Sequence, residues 1–335
     1  LRSLDIRKEQ WPFREPFRIS GYVFTAANVI RVALRDGALV GQGEAAGVYY
    51  RSETPDSMIA QIEAVGPVIE AGITRERLRD ILPAGGARNA VDAALWDLEA
   101  KRSGVPAWRV ANLDSPRGMP TTYTVSADTP ERMAAVARGY APARRLKLKL
   151  TGEGDAPRLK AIRAARADAW IGVDANQGFT RATLEALMPV LLETNVRLIE
   201  QPVRVGHEAE LDGLNSPISL AADESVQGLA DIEKAKGRFD VVNIKLDKCG
   251  GLTEALMMVP AIRAAGMRPM VGCMEGTSLA MMPGALVGQL CDFVDMDAVL
   301  FLKDDRKPSV VYRGGEITLP DRGWGMPDAA LRAAY

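Results

Sequence analysis

Apolar and polar positions along the chain follow two rhythms. In the first third, residues 28–34 (NVIRVAL) are β-branched and nearly alternating, which predicts a strand. Asp36-Gly37, a dipeptide favoured in tight hairpins, follows, and residues 38–44 return as the partner strand. Thr54-Pro55-Asp56 predicts a helix start, with Pro in the first turn and Met58, Ile62 and Val65 on one face behind it. Residues 88–102 repeat the helical spacing with Val91, Leu95 and Leu98 and stop at Gly104 and Pro106.

From about residue 120 short apolar runs recur roughly every 25 residues: TTYTV at 121, LKLKL at 146, AWIGVD at 169, RLIEQ at 197, ISLAADE at 218, DVVNIKL at 240, RPMVGC at 268 and DFVDMD at 292. Amphipathic stretches such as 180–193 and 252–265 lie between them. Strand then helix, eight times over, predicts an α/β chain with a (β/α)8-type barrel. The repeat is in period and not in sequence, so it is not a solenoid.

Composition narrows the chemistry. His207 is the sole histidine of the 335 residues, so two-histidine metal sites are excluded and a Ser-His-Asp triad would have to use it. Cys249, Cys273 and Cys291 show no metal-binding spacing and leave an odd count, which suits a reducing cytoplasm. A bound metal must therefore take oxygen ligands, which favours Mg²⁺, with Mn²⁺ as a substitute. A net charge of -1 gives no electrostatic reason to expect nucleic acid or an anionic membrane as partner. The charged start LRSLDIRKEQ is unlike a secretion signal, and no apolar run reaches membrane-spanning length.

In such a barrel the strand C-termini converge on the site. Lys147 and Lys149, two apart, share one face of their strand. Asp174, Glu200 and Asp223-Glu224 end the next three runs, Lys245 lies on the sixth, and Asp295-Met-Asp297 ends the eighth. Taken singly each is equally a helix cap or a solvated lysine. Together, three acids on consecutive strand ends would repel unless a divalent cation neutralised them.

Lys147-Leu-Lys149, Asp174-Ala-Asn176, Glu200-Gln-Pro202, Ala222-Asp223-Glu224 and Ile244-Lys245-Leu246-Asp247 resemble the strand-end motifs of the enolase superfamily, in particular its muconate-lactonizing, lysine-lysine subgroup. The resemblance implies a modified TIM barrel over residues 116–319 and an α+β capping domain over 1–115, completed by the tail 320–335. It implies that Asp174, Glu200 and Asp223 bind Mg²⁺, that Lys149 and Lys245 are acid/base residues on opposite faces of the substrate, and that Lys147 is an electrostatic aid. Two opposed lysines suit racemisation or epimerisation through an enediolate, a strategy for which the superfamily is a worked case.

Within the subgroup, Asp295-Met-Asp297 and Lys245-Leu-Asp247-Lys248-Cys-Gly250-Gly251 are similar to dipeptide epimerases, where the two aspartates meet the substrate's ammonium group. The expectation is a Mg²⁺-dependent dipeptide epimerase acting at the C-terminal residue's Cα. An N-acylamino-acid racemase, a succinylbenzoate synthase, a cycloisomerase and a non-catalytic binding protein of the same fold are the alternatives, and homo-oligomerisation is left open. Capping loops at 17–24 and 47–53 are expected to close over the barrel, which makes Tyr22, Phe24 and Arg51 substrate-binding candidates, with Cys273, Met274 and Glu275 at the seventh strand end. An arginine that Ala-Glu epimerases place in the first loop has Gly21 or Tyr22 at its position here. His207 reads as a loop residue. Gly41-Gln-Gly43-Glu-Ala-Ala-Gly47 mimics a dinucleotide fingerprint but lacks the strand-to-helix context.

Overall fold

The computed structural model of the chain describes residues 2–19 and 21–327. Strands β1 (Ser3–Ile19), β2 (Tyr22–Asp36) and β3 (Leu39–Ala45) form an antiparallel sheet in that order. The β2–β3 hairpin is the one the 28–44 pattern predicts, with Asp36 opposite Leu39 and Gly37 at φ +60°. β1 was not expected from the pattern. It carries Pro12, Pro16 and many charges, which an edge strand tolerates because one backbone edge needs no ladder partner. Its pairing with β2 shifts register between Pro12 and Phe17.

Helix α1 (Pro55–Ala64) starts as predicted. Thr54 Oγ1 accepts from Ser57 N at 3.1 Å, and Ser57 Oγ accepts from Thr54 N at 2.9 Å. Helix α2 (Gly86–Ser103) packs on β3, and the glycines there are what admits it. A Cβ on Gly41 would stand 2.1 Å from Ala94 O, and one on Gly43 2.1 Å from Ala90 O. The glycine run at 41–47 is thus a close strand–helix approach, not a phosphate cradle.

All eight apolar runs are strands: β4 (Tyr123–Val125), β5 (Arg145–Lys149), β6 (Trp170–Asp174), β7 (Val196–Glu200), β8 (Ser219–Ala222), β9 (Val241–Ile244), β10 (Arg268–Gly272) and β11 (Phe293–Asp295). They are parallel and lie side by side in chain order. Thr122 N donates to Val294 O at 3.1 Å, and Met296 N to Thr121 Oγ1 at 2.9 Å, so the first and last strands meet and the barrel is nearly closed. Helices α3 (Pro130–Gly139), α4 (Asp155–Ala165), α5 (Arg181–Glu193), α6 (Leu252–Ala264) and α7 (Ser278–Gly288) lie between successive strands. Among the described residues the expected helix is missing after β7, β8 and β11, where only short turns form, at Glu208–Leu211, at Leu229–Asp231 with Ile232–Ala235, and at Ala298–Phe301. The core lies between strands and helices: on β5, Leu146 and Leu148 join it, while Lys147 and Lys149 point the other way, into the barrel.

The two parts of the chain are bonded through α2 and the segment that follows β9. Arg88 on α2 donates to Glu254 Oε2 at 2.6 Å, Cys249 O at 2.5 Å and Gly250 O at 3.2 Å. Asp92 accepts from Thr253 N at 3.1 Å and Thr253 Oγ1 at 2.5 Å. Beyond the short strands Val311–Arg313 and Glu316–Thr318, the chain returns to α2: Trp324 Nε1 donates to Ala93 O at 2.9 Å and Gly325 N to Asp97 Oδ1 at 2.8 Å. Residues 328–335 of the expected tail lie outside the described residues. Among the described residues no helix is long and apolar enough to cross a membrane.

Candidate active site

Every charged candidate of the barrel sits where a strand ends at its C-terminal rim. Asp174 closes β6, Glu200 closes β7, Asp223 follows β8 and Lys245 follows β9, and all four are buried with Lys147 and Lys149. One carboxylate oxygen from each of Asp174, Glu200 and Asp223 lies within 4.8 Å of the others. Lys149 Nζ stands 2.7 Å from Asp174 Oδ2, and Lys245 Nζ 2.7 Å from Asp223 Oδ2. Strands β5 and β9 are the second and sixth of eight, so they stand opposite across the ring. The two ammonium groups therefore reach the carboxylates from opposite sides. Lys147 joins both halves, 3.0 Å from Asp174 Oδ2, 2.8 Å from Glu200 Oε2 and 2.7 Å from Asp295 Oδ2.

These charges set each other's protonation. Burial pushes the Glu200 carboxyl up to about 7, with Asp174 adding to the push. Burial also opposes the charge on Asp174, but Lys147 and Lys149 outweigh it and hold that group at about 2. Asp223 is likewise buried, yet Lys245 and Lys248 hold it far below the usual carboxylate range. Burial works against the Lys245 ammonium, but Asp223 raises its pKa well above the ordinary value. Three converging buried carboxylates, one of them driven toward neutrality, form the all-oxygen donor set a hard divalent cation fits.

Two residues at this site carry roles the sequence does not assign. Lys248 is buried in a one-turn helix, Leu246–Cys249. Its Nζ donates to Asp223 O at 2.5 Å, Asp223 Oδ1 at 2.8 Å, and to Val226 O and Asn243 O at 2.9 Å. Asn243 on β9 donates from Nδ2 to Glu200 Oε1 at 2.9 Å. The spacing Lys245-x-x-Lys248 was visible, but the direction in which that turn aims Lys248 was not.

A cavity opens above these groups. Asp295, Asp297, Cys273, Met274 and Glu275 line it, as the sequence suggests. Asp295 is already engaged by Lys147 and Thr122 Oγ1. Asp297 accepts from Thr124 N at 2.6 Å, and burial followed by Asp295 pushes its carboxyl up to about 7. Burial pushes the Cys273 thiol upward, the reverse of an activated thiolate. Phe17, Ile19, Tyr49 and Phe301 close the cavity from the other side. Tyr22 and Phe24 pair with Ile19 and Phe17 on the next strand and do not line it. They stand behind lining residues: the Tyr49 ring centroid lies 4.7 Å and 5.3 Å from theirs, and Phe24 is also 6.4 Å from Phe17. Arg51 is exposed in the turn after Tyr49 and is also absent from the lining. His207 is exposed in the loop after β7, with Nδ1 3.0 Å from Glu210 Oε1.

The N-terminal part, residues 1–110, matches the mandelate racemase / muconate lactonizing enzyme N-terminal domain, and residues 128–327 match the enolase C-terminal domain-like family. This chain belongs to the mandelate racemase/muconate lactonizing enzyme family of the enolase superfamily. Among members of this enolase-superfamily group, the L-Ala-D/L-Glu epimerase of Escherichia coli (strain K12) is 37% identical over 321 residues, 95% of this chain and 100% of that protein. A solved enolase family member from Agrobacterium tumefaciens with homology to dipeptide epimerases, bound to sodium and L-Ala-L-Glu, is 40% identical with a TM-score of 0.93, over 95% of this chain and 97% of that one. The dipeptide epimerase of Enterococcus faecalis V583, solved with Mg and L-Leu-L-Tyr, is 28% identical with a TM-score of 0.89, over 96% and 98% of the two chains.

Proposed function

We propose that this enolase-superfamily protein is a Mg²⁺-dependent dipeptide epimerase, inverting Cα of the C-terminal residue of a dipeptide by 1,1-proton transfer. The observation that carries the reading is the pair of buried lysines on opposite barrel strands, Lys149 and Lys245, facing the three carboxylates from two sides. Asp174, Glu200 and Asp223 hold the cation. When bound, Mg²⁺ supplies positive charge beside the substrate carboxylate, where enediolate charge accumulates. Lys149 as the neutral amine takes the α-proton from one face while the Lys245 ammonium delivers one to the other; for the opposite stereoisomer the roles and protonation states exchange. Lys147, held by Asp174, Glu200 and Asp295, adds a fixed positive charge beneath the oxyanion. Asp297 receives the dipeptide's ammonium group, and the residues closing the cavity exclude water. The three cysteines are free, which supports a reducing, cytoplasmic setting.

The engagement of Asp295 by Lys147 and Thr122 favours a second reading, an N-acylamino-acid racemase, whose substrate has no ammonium group to bind. A panel of L,L-dipeptides and N-succinyl amino acids in D₂O separates the two. Deuterium at Cα of a dipeptide is the expected result. Exchange confined to the N-succinyl compounds would remove the first reading.

A further inference from the structure

We infer that the cavity over the lysine pair selects dipeptides with apolar side chains and rejects acidic ones. The inference rests on the dipeptide reading above. Overall similarity does not decide the matter, since the related structures hold both L-Ala-L-Glu and L-Leu-L-Tyr.

A glutamate side chain carried into a closed cavity needs a cation or several donors to replace its water. The cations lining this cavity are Lys147, Lys149 and Lys245, and each is held by a carboxylate at 2.7 to 3.0 Å low in the barrel. Among the described residues no arginine lines it. Alternation along β1 turns Phe17 and Ile19 inward and leaves Arg18 exposed. Arg14 donates instead to Leu302 O at 2.7 Å, and Arg306 is taken by Glu44 and Glu9.

The lining offers the reverse of a carboxylate site. Glu275 faces the cavity with no ion-pair partner among the described residues, and burial raises its pKa, so it meets an acidic side chain with a second carboxyl group and no cation. Opposite it stand Phe17, Ile19, Tyr49 and Phe301. The Phe17 and Phe301 ring centroids are 4.8 Å apart, and Phe17 and Ile19 are each 7% exposed. Such a surface gains by covering an aliphatic or aromatic side chain and offers a carboxylate the Tyr49 hydroxyl but no cation.

The test compares kcat/KM of the Mg²⁺-loaded protein for L-Ala-L-Leu, L-Ala-L-Phe and L-Ala-L-Glu, read as α-deuterium incorporation. The expected result is at least a tenfold preference for the apolar pair over L-Ala-L-Glu. Glu275→Gln should narrow the gap to L-Ala-L-Glu several-fold, mainly through KM, and Ile19→Arg should narrow it further while weakening L-Ala-L-Phe. L-Ala-L-Glu turned over as well as the apolar dipeptides would overturn this inference and leave the epimerase reading standing. Exchange from no dipeptide at all would remove both.

Discussion

Lys248 has no contact with solvent and four oxygen partners, two of them on Asp223. Replacing it by methionine removes the charge and strands the carbonyls of Asp223, Val226 and Asn243 without a donor. Breaking a buried pair from one side typically costs about 3 to 5 kcal/mol, so Lys248→Met should lower the urea midpoint sharply. It should also weaken Mg²⁺ binding, because Asp223 Oδ1 loses the group that fixes it. Glu200 makes a second residue-level prediction. Its carboxyl is pushed up to about 7 chiefly by burial, so near neutrality the metal-free protein carries a proton there that Mg²⁺ must displace. Affinity should therefore rise with pH from 6 to 8, by at most about tenfold per unit for one proton released. Titration calorimetry in buffers of different ionisation enthalpy would detect that proton, and a pH-independent affinity would contradict the assignment. Both residues sit at positions where the sequence shows a charge but not its surroundings. Glu200 was legible as a ligand candidate, whereas Lys248 took its meaning only from a turn that aims it back at β8.

At the scale of elements, α2 is the piece on which the most depends. It packs on β3 through glycines and is pinned to the start of α6 by Arg88 and Asp92. Gly43→Ala would drive a methyl group into Ala90 O, and overpacking of this kind costs about 1 to 3 kcal/mol. A loss of that order should appear as a lower Tm. Asp92 gives a pH signature. Burial raises its carboxyl from 3.8 to about 6 against the bonds from Thr253. A raised acid keeps its proton in the folded state while the unfolded chain releases it, so its contribution to stability falls as pH rises from about 4 to 6. Two units correspond to roughly 3 kcal/mol. Asp92→Asn should remove that slope, measured as the difference between wild-type and variant unfolding free energies at pH 4.5 and 6.5. The helix itself was readable from Val91, Leu95 and Leu98. Its partners 161 to 166 residues away were not, because helical spacing identifies a buried face without saying what covers it.

For the whole molecule, ring closure is what gives the site its stereochemistry. Lys149 and Lys245 are 96 residues apart and meet only because the second and sixth strands of an eight-membered ring face each other. Lys149→Ala and Lys245→Ala should each abolish epimerisation while leaving the fold intact by circular dichroism. Each should retain α-deuterium exchange from one stereoisomer only, and near-normal turnover by both variants would refute the acid/base pairing. The sequence by itself determined the strand–helix period, the β2–β3 hairpin and the charged residues at six of the eight strand ends, since alternation and turn chemistry are local properties of the chain. Edge strand β1 escaped it, because prolines and charges hide a strand whose outer edge is left unpaired. The opposition of the two lysines was implied by the resemblance, and the tertiary structure supplies the ring that achieves it. The tertiary structure alone decided that Asp295 is bound by Lys147, and that Phe17, Tyr49 and Phe301 close the cavity while Tyr22, Phe24 and Arg51 stand behind or outside it. Those relations arise from contacts between distant segments, which no spacing along one segment encodes.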